Sequence, residues 1–259
     1  GTLDPLATGL MLICVGKATK LASDLEAKNK VYLADFEIGY ATDTYDIEGK
    51  KIAENLIDIS KDNLELSLKK FIGDIKQVPP MYSAIKIDGN KLYHLARKGI
   101  EIERPERDVT IEYINLLDFK DNKAKIETKV SKGCYIRSLI YDIGQDLGTY
   151  ATMTELQRIN VGEYSLTNSY ILEQMEEMAQ NNDFSFLNSV EEVFSYEKYN
   201  LETDLVTIKD EDGKIHNLKM YHQWPVRIPR PIDVRMPISR PLVTGQRVLD
   251  VFFPIAKGG

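Results

Sequence analysis

Six of the chain's ten prolines lie between Pro225 and Pro254, and this uneven placement limits the fold more than any other feature. Proline lacks a backbone N–H and fixes φ, so it interrupts helices and central strands. Long regular elements must therefore come from the first 200 residues, which hold only Pro5, Pro79, Pro80 and Pro105. We place a boundary at about residue 200. Residues 1–200 form one domain by this reading, and 201–259 a separate small Pro-rich segment.

Hydrophobic spacing fills the first part. Val31 to Ile38 alternates as a strand, and Leu10 to Val15 is a short apolar run that suggests a buried strand. Val109–Phe119 and Lys123–Val130 suggest a hairpin around Lys120-Asp121-Asn122, and Leu156 to Tyr164 is strand-like. Helical spacing occurs over Lys17–Lys28, over Asp62–Ile72 (with Leu64, Leu68 and Phe71 on one face), over Lys91–Lys98 before Gly99, and over Cys134–Leu147 before Gly148. Leu172–Ala179 and Val190–Phe194 also read as helical. Asp43–Gly49 and Gln77–Gly89 read as loops. Strands and helices mix without a regular βαβ rhythm, so the expected class is α+β.

At 43% hydrophobic and 28% charged, the chain can bury a core. It has no run of 18 apolar residues and no basic leader, so no membrane span or signal peptide is expected. The opening at Gly1 reads as mid-domain. Cys14 and Cys134 form no C-x-x-C pair, and His94, His216 and His222 lie far apart, so we expect no metal site and a reducing cytoplasm. Net charge is −7. Its distribution is uneven: Lys69 to Arg137 holds 15 Lys/Arg against 10 Asp/Glu, whereas Thr167 to Asp204 holds 1 Lys against 9 Asp/Glu. Such a basic middle can face phosphates, and it can equally be a solvated surface of mixed charge.

Three segments carry candidate chemistry. In G-T-L-D-P-L-A-T-G, Pro5 pushes Asp4 away from helical geometry, and a tight turn of this kind can present a carboxylate at a cleft edge. Asp-Pro is also a common turn starter. Tyr32 sets an aromatic ring on one face of a strand. In S-K-G-C-Y-I-R, a glycine turn leads into a helix with Arg137 in its first turn, where the helix dipole disfavours a cation. Arg137 either answers a carboxylate or is a surface cation.

Together these segments resemble the TruB family of tRNA pseudouridine synthases. G-T-L-D-P-L-A-T-G-L-M-L-I-C-V-G-K-A-T-K-L is similar to its catalytic-aspartate motif, and K-V-Y-L-A-D-F-E-I-G to the motif with its active-site tyrosine. V-P-P-M-Y-S-A-I-K-I-D-G-N-K-L-Y-H-L-A-R-K-G resembles its RNA-gripping insertion. S-K-G-C-Y-I-R-S-L-I-Y-D-I-G resembles its arginine motif, and E-L-Q-R-I-N-V-G its last active-site strand. The resemblance implies a mixed, largely antiparallel sheet flanked by helices. It assigns Asp4 as the catalytic carboxylate, Arg137 as its partner, and Tyr32 as the ring that stacks on the uracil and serves in removing the C5 proton. Tyr135 and Leu156 would line the uridine pocket. Tyr82, Lys86, Lys91, Arg97 and Lys98 would contact RNA, although Tyr82 and Tyr93 fit a core role as well. The implied reaction isomerises the T-loop uridine of tRNA (uridine-55), with the T-arm as partner. It involves no redox change, so no cofactor is expected.

Two expectations follow from departures from the family pattern. The family's preceding strand and helix are not in the sequence, so Asp4 is expected on a frayed end with poor positioning. Residues 203–259 resemble instead the catalytic A subunit of archaeal and vacuolar-type rotary ATPases, just upstream of its phosphate loop. The G-x-x-x-x-G-K-[ST] loop is not in the sequence, and no ATP hydrolysis is expected.

Overall fold

The computed structural model describes residues 2–189, except 84, 88, 98 and 101, and four short strands beyond residue 204. The chain divides into two compact units, Gly1–Val193 and Phe194–Gly259.

The first unit is built on one sheet. Its elements begin with β1 (Thr8–Gly9), α1 (Ala22–Ala27), β2 (Lys30–Ile38), β3 (Tyr40–Thr42), β4 (Lys51–Glu54), α2 (Lys61–Lys70) and β5 (Gly73–Gln77). β6 (Lys86–Ile87), β7 (Asn90–Lys91) and α3 (Leu92–Arg97) follow. β8 (Arg107–Lys120), β9 (Lys123–Val130), α4 (Ile136–Asp146), β10 (Ala151–Val161), β11 (Tyr164–Ser165) and α5 (Leu172–Gln180) complete the unit. The main sheet runs β1-β10-β2-β9-β8-β5, with β11 added to β10. Only β1–β10 is parallel; the other pairs in this sheet are antiparallel.

Alternation explains which face is buried. Ala34, Phe36 and Ile38 of β2 and Ala124, Ile126 and Val130 of β9 all enter the core. In β8 the buried residues step from Val109 and Ile111 to Ile114, because a bulge between Ile111 and Tyr113 shifts the side-chain phase by one residue. Asp121 and Asn122 both adopt positive φ (51° and 59°), the geometry of a two-residue hairpin turn, so β8 and β9 close tightly.

α4 covers the sheet with Ile136, Leu139, Ile140 and Ile143, all at most 4% exposed. Gly144 lets it approach β10: a Cβ there would lie 2.3 Å from the Ala151 nitrogen. α2 adds Leu64 and Leu68 to the same core, and Ser60 caps its start by accepting from the Asn63 N–H at 3.2 Å.

Several elements differ from the sequence reading, among them the expected Leu156–Tyr164 strand, which begins five residues earlier as β10 and ends at Val161. The Leu10–Val15 run is not a strand. Leu10 is buried, but Ile13 and Val15 are 72% and 70% exposed, because the backbone leaves β10 after Leu10 bonds to the Arg158 carbonyl. The Lys17–Lys28 helix is a 3-10 turn over Gly16–Leu21 followed by α1. The turn buries no residue, so nothing holds it to α-helical spacing. β5 occupies the stretch between the expected Asp62–Ile72 helix and the expected Gln77–Gly89 loop, where no element was expected, and takes in the loop's first residue. The first helical residue of the fourth long helix is Ile136, not Cys134.

In the second unit, β12 (Leu205–Lys209) pairs antiparallel with β13 (Ile215–Lys219), and β14 (Pro241–Leu242) with β15 (Ile255–Ala256). The expected helix at 190–194 lies outside the described residues.

Candidate active site

Asp4 opens a β-turn with Pro5 at its second position, closed by the Ala7 N–H donating to the Asp4 carbonyl at 2.9 Å. The chain then docks onto β10 as β1, with Thr8 opposite Gln157 and Gly9 opposite Arg158. Gly9 has φ of 105°, and a Cβ there would sit 2.3 Å from the Arg158 carbonyl oxygen. Only glycine permits this approach, and it fixes where the turn places Asp4.

Arg137 projects from the first turn of α4 and is 4% exposed. Its Nε–H donates to Asp4 Oδ2 and its Nη2 to Asp4 Oδ1, both at 2.9 Å. This is a fork-to-carboxylate pair, the geometry that arginine offers and lysine does not. Nη2 also donates to the Tyr82 carbonyl at 3.0 Å, and Nη1 to the Thr44 carbonyl at 3.2 Å. A second carboxylate, Asp46 Oδ2, lies 3.4 Å from Nη1. Four of the guanidinium's five N–H groups are thereby hydrogen-bonded, and the Asp46 carboxylate forms an ion pair on the Nη1 side. Asp4 is held in place at this end of the chain, and the frayed end expected from sequence is not what its hydrogen bonds describe.

Asp46 is 4% exposed and comes from the loop between β3 and β4. Its Oδ1 accepts from Thr44 Oγ1 at 2.6 Å and from the Glu48 N–H at 3.1 Å. The start of α4 is fixed by Gln77, at the end of β5. Gln77 Oε1 accepts from the Tyr135 N–H at 2.8 Å, and Nε2 donates to the Tyr135 carbonyl at 3.1 Å. Ser138 Oγ donates to the Val78 carbonyl at 2.8 Å. Sequence reasoning missed Asp46 and Gln77. Both lie in segments read as loops, and nothing local to the sequence tells that a loop carboxylate or amide is buried.

Tyr32 stands in β2 opposite Arg158 of β10. Burial pushes its phenol above the ordinary tyrosine range, Arg158 draws it back by charge and hydrogen bond, and the Asp4 charge raises it. Burial also raises Tyr135, offset by Ser83 and Arg107, and the Asp4 charge acts on it as well. Both phenols therefore lie within electrostatic reach of the Asp4 carboxylate. Leu156 is buried in the core, opposite Ala34 in the β10–β2 register.

The structure brings Asp4, Arg137 and the Tyr82 carbonyl into direct contact. Tyr32 lies near the start of β2, Tyr135 at the N-cap of α4, and Leu156 in the middle of β10 within the core. Lys86, Lys91 and Arg97 belong to β6, β7 and α3, but their side chains lie outside the description, as does Lys98 altogether. Among the described residues, no group of three or more His, Cys, Asp or Glu could hold a metal ion. No helix among them is long and apolar enough to cross a membrane.

Residues 1–136 match the family described as TruB family pseudouridylate synthase (N terminal domain). The chain belongs to the TruB family. Residues 137–194 match the tRNA pseudouridylate synthase B C-terminal domain. The tRNA pseudouridine synthase B of Fusobacterium nucleatum subsp. nucleatum is 80% identical over 219 residues, covering 85% of this chain and 76% of that protein. The protein of the same description from Clostridium novyi (strain NT) is 44% identical over 192 residues, 74% of this chain and 65% of its own length. The TruB fold is shared with a chain in the crystal structure of a Cbf5-Nop10-Gar1 complex: TM-score 0.54, 25% identity, 72% of this chain and 48% of that one. An alignment of 219 residues includes at least 19 beyond residue 200, so the likeness to the Fusobacterium protein continues past the expected boundary.

Proposed function

We propose that this chain is a tRNA pseudouridine synthase that converts a T-loop uridine, uridine-55, into pseudouridine, with Asp4 as its catalytic carboxylate. The observation that carries the reading is the bidentate Asp4–Arg137 pair within electrostatic reach of two tyrosines. Relatives named tRNA pseudouridine synthase B, at up to 80% identity, support it.

The reaction is an isomerisation. The N1–C1′ bond breaks, the uracil turns, a C5–C1′ bond forms, and the proton lost from C5 is balanced by one gained at N1. No electrons are gained or lost overall, so the chemistry asks for a positioned carboxylate, a base and a place to hold a loose ring. Asp4 works at the sugar–base bond, as a carboxylate does beside a cationic sugar. Arg137 pairs with that carboxylate through both of its oxygens and orients it. Tyr32 stacks on the uracil and serves in removing the C5 proton, with Arg158 beside it to offset in part the burial that disfavours its phenolate. Tyr135 and Leu156 close the uridine pocket.

The uridine must leave its stack to reach Asp4, and a loop of RNA gives it up more readily than a duplex does. The T-arm is therefore the proposed partner, and the basic residues Lys86, Lys91, Arg97 and Lys98 are the proposed phosphate contacts, with Tyr82 beside them. An enzyme of this kind works in the cytoplasm, where its tRNA is. The resemblance of residues 203–259 to a rotary-ATPase A subunit adds no activity to this reading.

The test is Asp4→Asn, assayed for pseudouridine formation on a T-arm RNA. Turnover is expected to vanish while RNA affinity stays within about threefold, because a neutral isostere removes the charge and little of the binding surface. Wild-type turnover by this variant would refute the assignment.

A further inference from the structure

Tyr45 has a role that the proposed chemistry does not use. It sits in the loop between β3 and β4 with φ of 64°, a left-handed conformation that non-glycine residues seldom adopt. Its two neighbours are the residues that reach Arg137 from this side: Thr44 through its carbonyl at 3.2 Å, and Asp46 through its carboxylate at 3.4 Å. The reversal at Tyr45 lets both point to one guanidinium.

The Tyr45 ring turns to α4 and stacks on Tyr141, with centroids 4.1 Å apart and planes 19° apart. Tyr141 is four residues beyond Arg137 on α4 and so shares its face of the helix. One helix thus carries both the guanidinium and the ring that clamps the loop holding it. The rest of the loop is tied down elsewhere. The Tyr45 carbonyl accepts from the Met153 N–H at 3.1 Å, and the Ile47 N–H donates to the Met153 carbonyl at 2.9 Å. Thr42 Oγ1 donates to the Asp46 carbonyl at 2.6 Å. Gly49 packs so closely under Thr44 that a Cβ would lie 2.3 Å from Thr44 Oγ1. The Met153 bonds fix the loop to β10 and the others brace it internally; among the described residues its hold on α4 comes from the Arg137 contacts and, one turn further along the helix, from the tyrosine stack.

We propose that the Tyr45–Tyr141 stack is a positioning device: it locks the loop carrying Thr44 and Asp46 against α4, and so holds the Arg137 fork in register with Asp4. The functional part of this proposal rests on the reading of Asp4 and Arg137 as the catalytic pair.

The test compares Tyr45→Phe, which keeps the ring, with Tyr45→Gly, which keeps the left-handed backbone and removes the ring. Two readouts are taken on the full chain. The first is the nitrogen-15 signal of the Arg137 Nε–H, which reports the bond to Asp4 without requiring turnover. The second is the single-turnover rate on saturating T-arm RNA. Tyr45→Phe should match the wild type in both. Tyr45→Gly should lose the Nε–H signal to exchange with water and slow turnover by about 10–100-fold, with RNA affinity within about threefold. A Tyr45→Gly protein with an intact Nε–H signal and wild-type rate overturns the proposal. Should its melting curve show a lost fold, Tyr141→Leu removes the stack from the helix side and is judged by the same two readouts. Asp4→Asn, run alongside, separates the two ideas. Its normal turnover would sink the catalytic reading, whereas a dead Asp4→Asn beside an unaffected Tyr45→Gly would sink the stack alone.

Discussion

A single guanidinium organises this site. Arg137 is 5% exposed in its side chain and Asp4 30%, so the pair keeps one side open to a substrate while its far side is sealed by protein. An arginine so placed has two jobs, charge and shape, and lysine keeps only the first. Arg137→Lys retains the charge opposite Asp4 but cannot span both carboxylate oxygens or reach the Thr44 and Tyr82 carbonyls together. We expect turnover to fall by about 100-fold with RNA affinity nearly unchanged, since misplacement of a reacting group by about 1 Å has that effect. Single-turnover kinetics beside a binding titration measures both, and an equal loss in affinity and rate would show that Arg137 serves binding instead. At this scale the sequence was informative where a residue's type conflicts with its place. Arg137 at a helix start pointed either to an anion or to a place on the surface, and Asp4 before Pro5 pointed to a turn. Asp46 and Gln77 broke no local rule. Burial alone makes them matter, and burial depends on what other segments bring to them.

Elements show the same division. β2, β8, β9 and α4 were legible because each buries one face, which imposes a period of 2 or 3.6 on its own residues. β5 was not, because its Gly-Asp-Ile-Lys-Gln sequence makes an edge strand with little apolar signal, held by pairing to β8. The Leu10–Val15 run misled in the opposite sense, being apolar without being buried. β1 consists of two residues and has no period at all, yet it anchors Asp4. Its anchor is Gly9, whose backbone touches Arg158 where no Cβ fits. Gly9→Ala must push β1 off β10 and adopt a left-handed φ, a cost of about 1–3 kcal/mol. We expect a lower melting temperature and a larger relative loss in turnover, because the displaced strand carries the catalytic turn. A variant that melts lower yet turns over at the wild-type rate would show that the Asp4 turn is positioned by Arg137 alone.

For the molecule as a whole, the two matched family segments meet between Ile136 and Arg137, inside α4. α4 packs on a sheet whose strands come from both sides of that joint, so the first unit stands or falls as one core. Its stability therefore registers any strained group on α4, and Asp142 is such a group. Burial pushes its carboxyl up to about 6 from an ordinary value of 3.8. The folded protein thus holds a proton on Asp142 that the unfolded chain has released between these values. The favourable contribution of the neutral acid is complete below the unfolded value of 3.8 and is lost as pH rises through about 6. At pH 8 the folded state carries a partly buried charge that the unfolded state solvates freely. Asp142→Asn removes that charge and keeps the shape. It should raise stability at pH 8 by about 1–2 kcal/mol, a shift of this size discounted for solvent screening. The gain should shrink steadily on acidification and be nearly absent at pH 4. Thermal unfolding of the wild type and the variant across that range decides the matter, and a gain that is the same at both ends would mean that Asp142 is not titrating with the fold.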